Sequence, residues 1–470
     1  MYIDRNIDVA LAEWAADSFH KPLLLRGARQ IGKTTAVRHL AKQFDNFIEI
    51  NFETDKKIGA IFDGDFNMPR ILSGIEAYTG SRITPGKTLL FLDEIQECPR
   101  AISSLRYFYE NIQPLHVVAT GSLLEFAFGE ISDFGVGRIR NLFMYPLSFE
   151  EFMRARGAKV TMEHVGRASF DEPLPPPVHE KMLGYLKEFM IVGGMPAAVA
   201  EYAKTESFLR AREQQMDILA TLKSDFDKYK TRVASDAIRA TFTSIVRQTG
   251  EKFSYSGSQS ETSCAQAKTC TSLLERSRIA LRIQGCMANG IPIGGDVNRK
   301  LAKFMILDTG LYLCESGLDI SEWVVDSPAK FVNRGRLAEM HAGLELLKAG
   351  NPMEDRGLYY WHRDARNANA EVDYIVQYRN GILPIEVKSG VRGSMKSLRI
   401  LMDEKRLSLG VRTSEENLGT IGNVRIIPLY MIGGYDAILR ASGDGGNEKY
   451  RFRHYSIRDG NMPQKDCKTC

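Results

Sequence analysis

The sequence predicts an α/β fold for residues 1–160, because buried-strand and amphipathic-helix patterns alternate along this stretch. Continuous apolar runs at 22–25 and 88–92 are typical of fully buried strands, and residues 47–52 alternate apolar and polar side chains. Between these runs, residues 34–44 and 102–112 place apolar side chains at helical spacing. Strands that alternate with helices form a mainly parallel sheet, so we expect helices packed on its faces.

The composition is that of an ordinary globular protein. The chain has 470 residues, 44% hydrophobic and 26% charged, and about three domains are expected at roughly 100–200 residues each. These values exclude collagen-like, disordered and disulfide-scaffold classes. The 62 Lys and Arg residues outnumber the 58 Asp and Glu residues only slightly, for a net charge of +4. Such a small excess does not require a nucleic-acid partner.

The same sequence predicts a cytoplasmic location. Seven cysteines are scattered without an even disulfide framework, which favours a reducing compartment. Residues 1–19 lack the basic start and apolar core of a secretory signal. No apolar run approaches the roughly 18–20 residues of a membrane span. We therefore expect no membrane partner.

Changes in composition divide the rest of the chain. The proline-rich stretch 171–178 predicts a stiff extended connector, and residues 182–189 and 197–222 predict helices. Residues 254–271 are rich in Ser, Thr and Gln and predict a loop. We place a helix on each side of that loop, at 237–247 and 271–276, and a hairpin at 279–304. The predicted units are 1–160, 161–325 and 326–440, followed by a polar tail at 441–470 that we expect to be poorly ordered.

A glycine-rich loop follows the first apolar run and matches G-x-x-x-x-G-K-[ST] in full. Glycines let a backbone wrap closely around a polyphosphate, and loop amides with a helix N-terminus face its negative charge. The lysine brings a positive charge to the β- and γ-phosphates, and the following hydroxyl can ligate Mg²⁺. The predicted nucleotide-binding residues are Gly27, Ala28, Arg29, Gln30, Ile31, Gly32, Lys33, Thr34 and Thr35.

An acidic pair completes this motif. The apolar run 88–92 ends in Asp93 and Glu94, and ligands of α/β folds gather at the carboxyl ends of the strands. We expect Asp93 to hold Mg²⁺ together with Thr34, and Glu94 to polarise the attacking water. ATP and Mg²⁺ are therefore the predicted cofactors.

Four segments together resemble a known family: GARQIGKTT, LLFLDEIQECP, VVATGS and RNLFMYPLSFEEF. They are similar to the AAA-type ATPases of bacteria and archaea that carry a C-terminal domain of unknown function, and the resemblance extends to about residue 439. It implies a polar sensor at Thr120 or Ser122, although a simple strand-end turn is the alternative. It also implies that Arg138 or Arg140 could act as a transition-state arginine, in the same chain or in a neighbour; a surface ion pair is the alternative.

The resemblance further implies a winged-helix-like module between residues 226 and 313. Two helices, a polar loop and a hairpin are compatible with it. Basic residues in this region could face phosphate, but a solvated surface or an interdomain contact explains them equally. They are Lys268, Arg276, Arg278, Arg282, Arg299, Lys300 and Lys303.

The C-terminal unit contains a second set of charged residues. Two strand patterns flank the turn Asn380-Gly381, and they carry Asp373 on one side and Glu386 and Lys388 on the other. This arrangement resembles the core of PD-(D/E)xK nucleases, in which two carboxylates hold Mg²⁺ beside a catalytic lysine. An upstream helix at 337–348 offers Glu339. An ion-paired sheet face without catalysis is the alternative.

The sequence therefore predicts a P-loop NTPase domain with a parallel sheet, a helical and winged-helix-like segment, and an α+β nuclease-like domain. We expect an AAA-type protein that binds ATP, hydrolyses it with Mg²⁺, and couples nucleotide state to the C-terminal domain. The alternatives are a metal-dependent nuclease regulated by ATP and a nucleotide-gated interaction protein without significant catalysis. Besides ATP, the candidate partners are nucleic acid, an unidentified protein and further copies of the chain.

Overall fold

The computed structural model describes residues 2–122, 124, 137–229, 233–257, 263–318, 320–325, 327, 335–363, 370–388 and 395–441. The strands are β1 Leu23–Arg26, β2 Asn46–Asn51, β3 Thr88–Asp93, β4 His116–Thr120, β5 Arg140–Phe143, β6 Ala280–Cys286, β7 Val297–Ile306, β8 Leu358–Arg363, β9 Ala370–Tyr378, β10 Gly381–Val387, β11 Gly410–Ser414, β12 Gly419–Ile421 and β13 Val424–Pro428. The helices are α1 Ile7–Ala16, α2 Lys33–Leu40, α3 Met68–Thr79, α4 Pro99–Asn111, α5 Phe149–Ala155, α6 Lys159–Val165, α7 Pro176–Val192, α8 Pro196–Thr205, α9 Phe208–Asp225, α10 Ser235–Arg247, α11 Cys264–Arg276, α12 Thr309–Glu315, α13 Ile320–Val325, α14 Gly335–Lys348, α15 Lys396–Lys405 and α16 Tyr435–Ala441.

The N-terminal strands form a five-stranded sheet in the order β2-β3-β4-β1-β5, and every neighbouring pair is parallel. The leucines of β1 are fully buried, which explains why this strand is a continuous apolar run. The predicted α/β fold with a parallel sheet is confirmed. Strand β5 was not predicted, because this edge strand is half polar in sequence and only its last two residues are buried.

The predicted proline connector is wrong in its second half. Pro176 and Pro177 form the first turn of α7, where a proline loses no hydrogen bond because the first backbone amides of a helix have no partner inside it. The single helix predicted at 197–222 is two helices. Glu206, with φ of 53°, ends α8, and the Ser207 side chain caps α9 by accepting from the amide of Arg210.

The predicted loop at 254–271 is also wrong in its second half, because α11 begins at Cys264. Ser263 and Gln266 form a capping box at its start, with each side chain bonded to the other residue's backbone amide. Its buried face is made of small or apolar residues, including Ala267, Cys270 and Leu274. The many Ser, Thr and Gln residues lie mostly on the other faces and hide this periodicity in the sequence.

The remaining strands form one eight-stranded mixed sheet in the order β12-β13-β11-β10-β9-β8-β6-β7. The predicted hairpins β6–β7 and β9–β10 are both antiparallel pairs. Strand β6 also pairs in parallel with β8, with Ile283 opposite Leu358. Helices α10 and α11 and the β6–β7 hairpin follow each other in the order of a winged helix. The hairpin, however, belongs to the eight-stranded sheet. The boundary placed at 325/326 falls between strands of this one sheet.

A continuous cluster of buried apolar side chains runs through the molecule, from Leu11 of α1 to Leu439 of α16. The ATPase-like sheet and the mixed sheet are thus packed through shared core residues. The predicted tail lies outside the described residues except for Ala441. Among the helices that the structure describes, none combines the length and apolar character needed to cross a membrane.

Candidate nucleotide site and C-terminal carboxylate cluster

The glycine-rich loop connects β1 to α2 at the carboxyl edge of the parallel sheet. Gly27 and Gly32 have φ of 154° and 95°, values that side-chain-bearing residues rarely adopt. A Cβ on Gly27 would also collide with the carbonyl oxygen of Met144. Both glycines are therefore required by the backbone conformation of this loop.

Lys33 is buried under this loop. Its Nζ donates to the carbonyl oxygens of Gly27, at 3.0 Å, and Ala28, at 2.7 Å. Burial lowers the pKa of Lys33 to about 8, although the carboxylates of Glu94 and Asp93 favour its charged form. The loop thus holds a desolvated ammonium group for which a polyphosphate would be a natural counter-ion.

The other side chains of the glycine-rich loop point in different directions. The Arg29 guanidinium pairs with Asp225 at the end of α9, with Nη1 and Oδ1 2.7 Å apart, and lies 3.6 Å from Glu53. Ala28 and Ile31 are buried, and Gln30 has a positive φ of 64°. Thr35 is exposed in the first turn of α2.

Arg5 is a loop-supporting residue that sequence reasoning missed. It is buried, and its guanidinium donates to the carbonyl oxygens of Ile31, at 3.0 Å, and Tyr145, at 2.7 Å. The same group pairs with Glu151 at 3.0 Å. A single arginine before the first helix carries no signal in the sequence, because its partners are distant along the chain.

The acidic pair lies next to the loop. Asp93 Oδ2 accepts hydrogen bonds from Thr34 Oγ1, at 3.1 Å, and from Asn51 Nδ2, at 3.2 Å. Thr120 Oγ1 donates to the other oxygen of Asp93. The structure therefore brings together the predicted site residues Thr34, Asp93 and Thr120 from three separate elements, and adds Asn51.

Glu94 is held by a different set of donors. Its Oε2 accepts from Gln96 Nε2, at 2.7 Å, and from Ser122 Oγ, at 3.2 Å. Of the two sensor candidates, Thr120 thus contacts Asp93 and Ser122 contacts Glu94. Gln96 was missed, and its place two residues after the acid in the DEIQ segment is the only signal that could have found it.

Arg138 and Arg140 lie at the amino ends of the strands, whereas the glycine-rich loop lies at their carboxyl ends. Arg138 pairs with Glu110 at the end of α4, and Arg140, the first residue of β5, lies 3.9 Å from Asp17. Because β5 runs parallel to β1, its first residue is far from the loop that follows the end of β1. The prediction that Arg138 binds nucleotide within its own chain is therefore not supported, since the side chain forms the surface ion pair that was the alternative.

A second polar group lies in the mixed sheet, and we call it the carboxylate cluster. It comprises Glu339 of α14, Glu371 and Asp373 of β9, Glu386 of β10, Lys388 just after β10, and Lys303 of β7. Asp373 Oδ2 accepts from the amide of Val387, at 2.7 Å, and Lys388 Nζ lies 2.6 Å from Glu386 Oε1. The predicted trio Asp373, Glu386 and Lys388 is thus gathered in one place, with Glu339 nearby.

Lys303 and Glu371 are members that sequence reasoning did not assign to this cluster. Lys303 is only 1% exposed, and its Nζ lies 2.9 Å from Glu339 and 2.5 Å from Glu371. Lys303 was predicted to lie on a phosphate-facing surface, a solvated surface or an interdomain contact; the structure places it in the interior, within the eight-stranded sheet that also carries Glu371. A lone lysine between Ala302 and Phe304 in an apolar strand is the signal that could have found it.

The carboxylates of the cluster disfavour one another's charged forms. Burial and the nearby Asp373 carboxylate raise the pKa of Glu339 to about 7, and the same two causes raise the pKa of Glu386 to about 7. Glu386 Oε2 is buried without a hydrogen-bond partner among the described residues. Within those same ranges, no three His, Cys, Asp or Glu side chains are arranged to hold a metal ion.

Three family models match successive parts of the chain. Residues 19–153 match an AAA domain, residues 183–322 match a domain of unknown function (DUF8612), and residues 334–432 match another (DUF4143). The N-terminal region is therefore an AAA-type ATPase domain, as its sheet and loop indicate. Neither C-terminal match assigns a function. No curated protein matches the chain in sequence.

Several solved structures resemble the chain loosely. The Walker-type ATPase PABY2304 of Pyrococcus abyssi is 13% identical, with a TM-score of 0.41, and the match covers 67% of this chain and 96% of that one. The Aeropyrum pernix ORC1 protein, solved in complex with DNA, is 12% identical with a TM-score of 0.29 and coverages of 68% and 94%. The PCH-2 protein of C. elegans is 14% identical, with a TM-score of 0.28 and coverages of 44% and 67%. Likenesses at these scores carry no argument about function.

Proposed function

We propose that the N-terminal domain binds ATP and hydrolyses it with Mg²⁺. The observation that carries this proposal is the buried Lys33 ammonium, bonded to two carbonyl oxygens of a glycine-rich loop at the start of α2. A buried cation beside a helix N-terminus is suited to a polyphosphate, because both stabilise negative charge. On binding, the phosphates replace the loop carbonyls as partners of Lys33.

The residues around the loop fit a magnesium ion. The Thr34 hydroxyl and the Asp93 carboxylate are 3.1 Å apart, and both are oxygen ligands of the kind that Mg²⁺ takes. When bound there, Mg²⁺ would neutralise charge on the phosphate oxygens. Thr120 and Asn51 support this role, since their hydrogen bonds to Asp93 fix the orientation of its carboxylate.

Glu94 is the proposed general base for the attacking water. Gln96 and Ser122 both bind its Oε2. Its Oε1 is then the oxygen available to accept a proton. If a transition-state arginine exists, Arg138 or Arg140 could supply it only to a neighbouring copy of the chain, because both lie at the far edge of their own sheet.

The test is ATP binding and phosphate release by the purified full chain, with and without Mg²⁺. Lys33→Ala should weaken MgATP binding by about 1.5–3 kcal/mol, the value of a charge-assisted hydrogen bond. Lys42→Ala is the matched control, because Lys42 is exposed just beyond the same helix. Equal MgATP affinity in Lys33→Ala and wild type would refute the proposal.

We also propose that nucleotide state is coupled to the C-terminal domain through α14. Lys348 Nζ donates to the carbonyl oxygen of Leu147, at 2.8 Å, and Glu345 accepts from the amide of Phe149, at 3.2 Å. This segment follows Met144, whose carbonyl oxygen borders Gly27 of the loop. The other end of α14 carries Glu339 of the carboxylate cluster. ATP should slow amide hydrogen exchange in α14 of wild type and leave it unchanged in Lys33→Ala.

A second candidate function is metal-dependent cleavage of a phosphodiester at the carboxylate cluster, regulated by ATP. The observation that favours it is Glu386 Oε2, a buried oxygen next to Asp373 that has no hydrogen-bond partner in the part of the chain that the structure describes. Asp373 and Glu386 would hold the metal ion, and Lys388 would stabilise negative charge on the scissile phosphate. If neither activity is found but ATP binds tightly, the chain is a nucleotide-gated interaction protein.

The nuclease candidate is tested by plasmid nicking with Mn²⁺. Asp373→Asn should abolish nicking and leave ATP turnover unchanged, since the two sites are separate. Asp403→Asn, an exposed acid on α15, should leave both unchanged. Nicking that persists in Asp373→Asn would come from a contaminant or another site.

A further inference from the structure

Lys303 is the most completely buried cation of the carboxylate cluster. Its side chain is 1% exposed, and its Nζ lies 2.9 Å from Glu339 Oε1 and 2.5 Å from Glu371 Oε1. It also lies over the ring of Tyr360, 5.1 Å from the centroid. The two nitrogen–oxygen distances to Glu339 and Glu371 are short enough for charge-assisted hydrogen bonds. The ammonium group therefore occupies the space between the two carboxylates.

The cluster as a whole has more negative than positive groups. Its four carboxylates face two ammonium groups, and each ammonium is engaged on a different side. Lys303 bonds to Glu339 and Glu371, whereas Lys388 bonds to Glu386. Among the described residues, Asp373 accepts a hydrogen bond from the amide of Val387, and the charges of Lys303 and Lys388 favour its charged form from a greater distance. The second oxygen of Glu386 has no hydrogen-bond partner within those residues. The carboxylates without a direct bond to Lys303 are thus Asp373 and Glu386.

We propose that the Lys303 ammonium is a built-in cation that neutralises Glu339 and Glu371 in place of a metal ion. A divalent cation can then enter the cluster only between Asp373 and Glu386. The statement about Lys303 stands on its own contacts, and only the statement about Asp373 and Glu386 rests on the second proposed function. A metal ion cannot share the Lys303 position, because the two like charges would repel at bonding distance.

Lys303 comes from a different part of the chain from its partners. It lies on β7, inside the match at 183–322, whereas Glu339 and Glu371 lie inside the match at 334–432. Pairing of β6 with both β7 and β8 brings the lysine to the carboxylates. The cation is therefore supplied by the middle region, and the region at 334–432 lacks it when taken alone.

The experiment is a calorimetric titration of the full chain with Mn²⁺ in the absence of nucleotide, which measures the number of ions bound. Lys303→Met retains the length of the apolar stem and removes the charge. It should bind one more Mn²⁺ than wild type, and Lys303→Met combined with Glu371→Gln should lose that extra ion. Lys300→Met, at an exposed position on the same strand, is the matched control and should bind as wild type does.

The outcomes separate the two claims. Equal Mn²⁺ stoichiometry in folded Lys303→Met and wild type overturns the proposal. If Lys303→Met folds only when Mn²⁺ is added, the ion has replaced the ammonium and the proposal is supported; if it stays unfolded at millimolar Mn²⁺, the proposal is overturned. Loss of a wild-type Mn²⁺ site in Glu386→Gln tests the Asp373–Glu386 side separately. An extra ion in Lys303→Met with none in wild type would refute the second proposed function and leave the role of Lys303 intact.

Discussion

Lys33 is held by the same loop that would present it to phosphate. Its ammonium is buried and bonded only to neutral carbonyl oxygens on the loop side, at 2.7 and 3.0 Å. Burial disfavours the charged form and lowers the pKa of Lys33 to about 8, although the nearby carboxylates of Glu94 and Asp93 oppose this shift. A nucleotide bound as proposed would bring the missing negative charge, so its binding and the protonation of Lys33 would be linked.

This linkage predicts that ATP affinity depends on pH above about 8. In the free protein Lys33 begins to lose its proton there, whereas the bound phosphates favour the charged form and raise its pKa. Binding above pH 8 therefore requires proton uptake, and affinity should fall by up to about tenfold per pH unit. Lys33→Arg should show a flat profile, because a guanidinium group does not titrate in this range. A wild-type profile that is equally flat between pH 8 and 10 would contradict the assignment.

Glu94→Gln should separate binding from hydrolysis. The amide retains the shape of the carboxylate but cannot accept a proton from water, so the turnover rate should fall on the order of 10²–10⁴-fold. ATP binding should be retained, because Lys33 and the loop are unchanged. Single-turnover phosphate release and equilibrium nucleotide titration measure the two effects. Glu97→Gln, an exposed acid in the following turn, should alter neither; a similar loss of rate there would point to an indirect effect.

At the scale of elements, α11 shows how a helix can be built from a polar sequence. Its start is determined by the capping box between Ser263 and Gln266, and its buried face by Ala267, Cys270 and Leu274. Two reciprocal side-chain bonds satisfy backbone amides that would otherwise lack partners. The helix packs against α10 and β6, so its stability contributes to the middle region.

Ser263→Ala should therefore destabilise the protein by about 0.5–2 kcal/mol, the usual effect of removing an N-terminal cap. Urea denaturation monitored by circular dichroism measures this change in the free energy of unfolding. Ser272→Ala, at an exposed position on the same helix, should be neutral or slightly stabilising, because alanine favours helix. If both variants unfold at the same urea concentration, the cap has no energetic role.

At the scale of the molecule, the middle and C-terminal regions share a sheet. Strand β8 is paired with β9 on one side and β6 on the other, and Lys303 of β7 compensates two buried or half-buried carboxylates. A fragment cut at 325/326 would leave the β6-facing edge of β8 unpaired and these acids without their cation. Both losses are destabilising, since exposed strand edges aggregate and unpaired buried charges are costly.

We therefore expect a fragment 326–441 to lack a cooperative thermal transition, and a fragment 278–441 to regain one. Thermal melting followed by circular dichroism compares them. The two fragments differ only in the segment that carries β6, β7, α12 and α13. Identical cooperative melting of both fragments would show that the C-terminal region folds without the hairpin.

The sequence by itself determined the parts of this protein that depend on short-range chemistry. The glycine-rich loop, Lys33, Thr34 and the strand ending in Asp93 and Glu94 lie in two short segments, and each fixed position has a local physical reason. Apolar runs were sufficient to predict the parallel sheet, because a strand buried on both faces must be continuously apolar. The hairpin that brings Asp373 to Glu386 was predicted from Asn380-Gly381, although its turn residues are Arg379 and Asn380 and Gly381 begins β10.

Only the tertiary structure decided which distant residues meet. Arg5 joins the loop, Gln96 and Ser122 hold one oxygen of Glu94, and Lys303 enters the carboxylate cluster, whereas Arg138 lies at the opposite edge of its sheet. The order of strands and the packing of the two sheets determine these contacts. The physical reason is that a buried charge pairs with a group that the fold places near it. A sequence pattern does not specify the spatial distance between residues that are far apart along the chain.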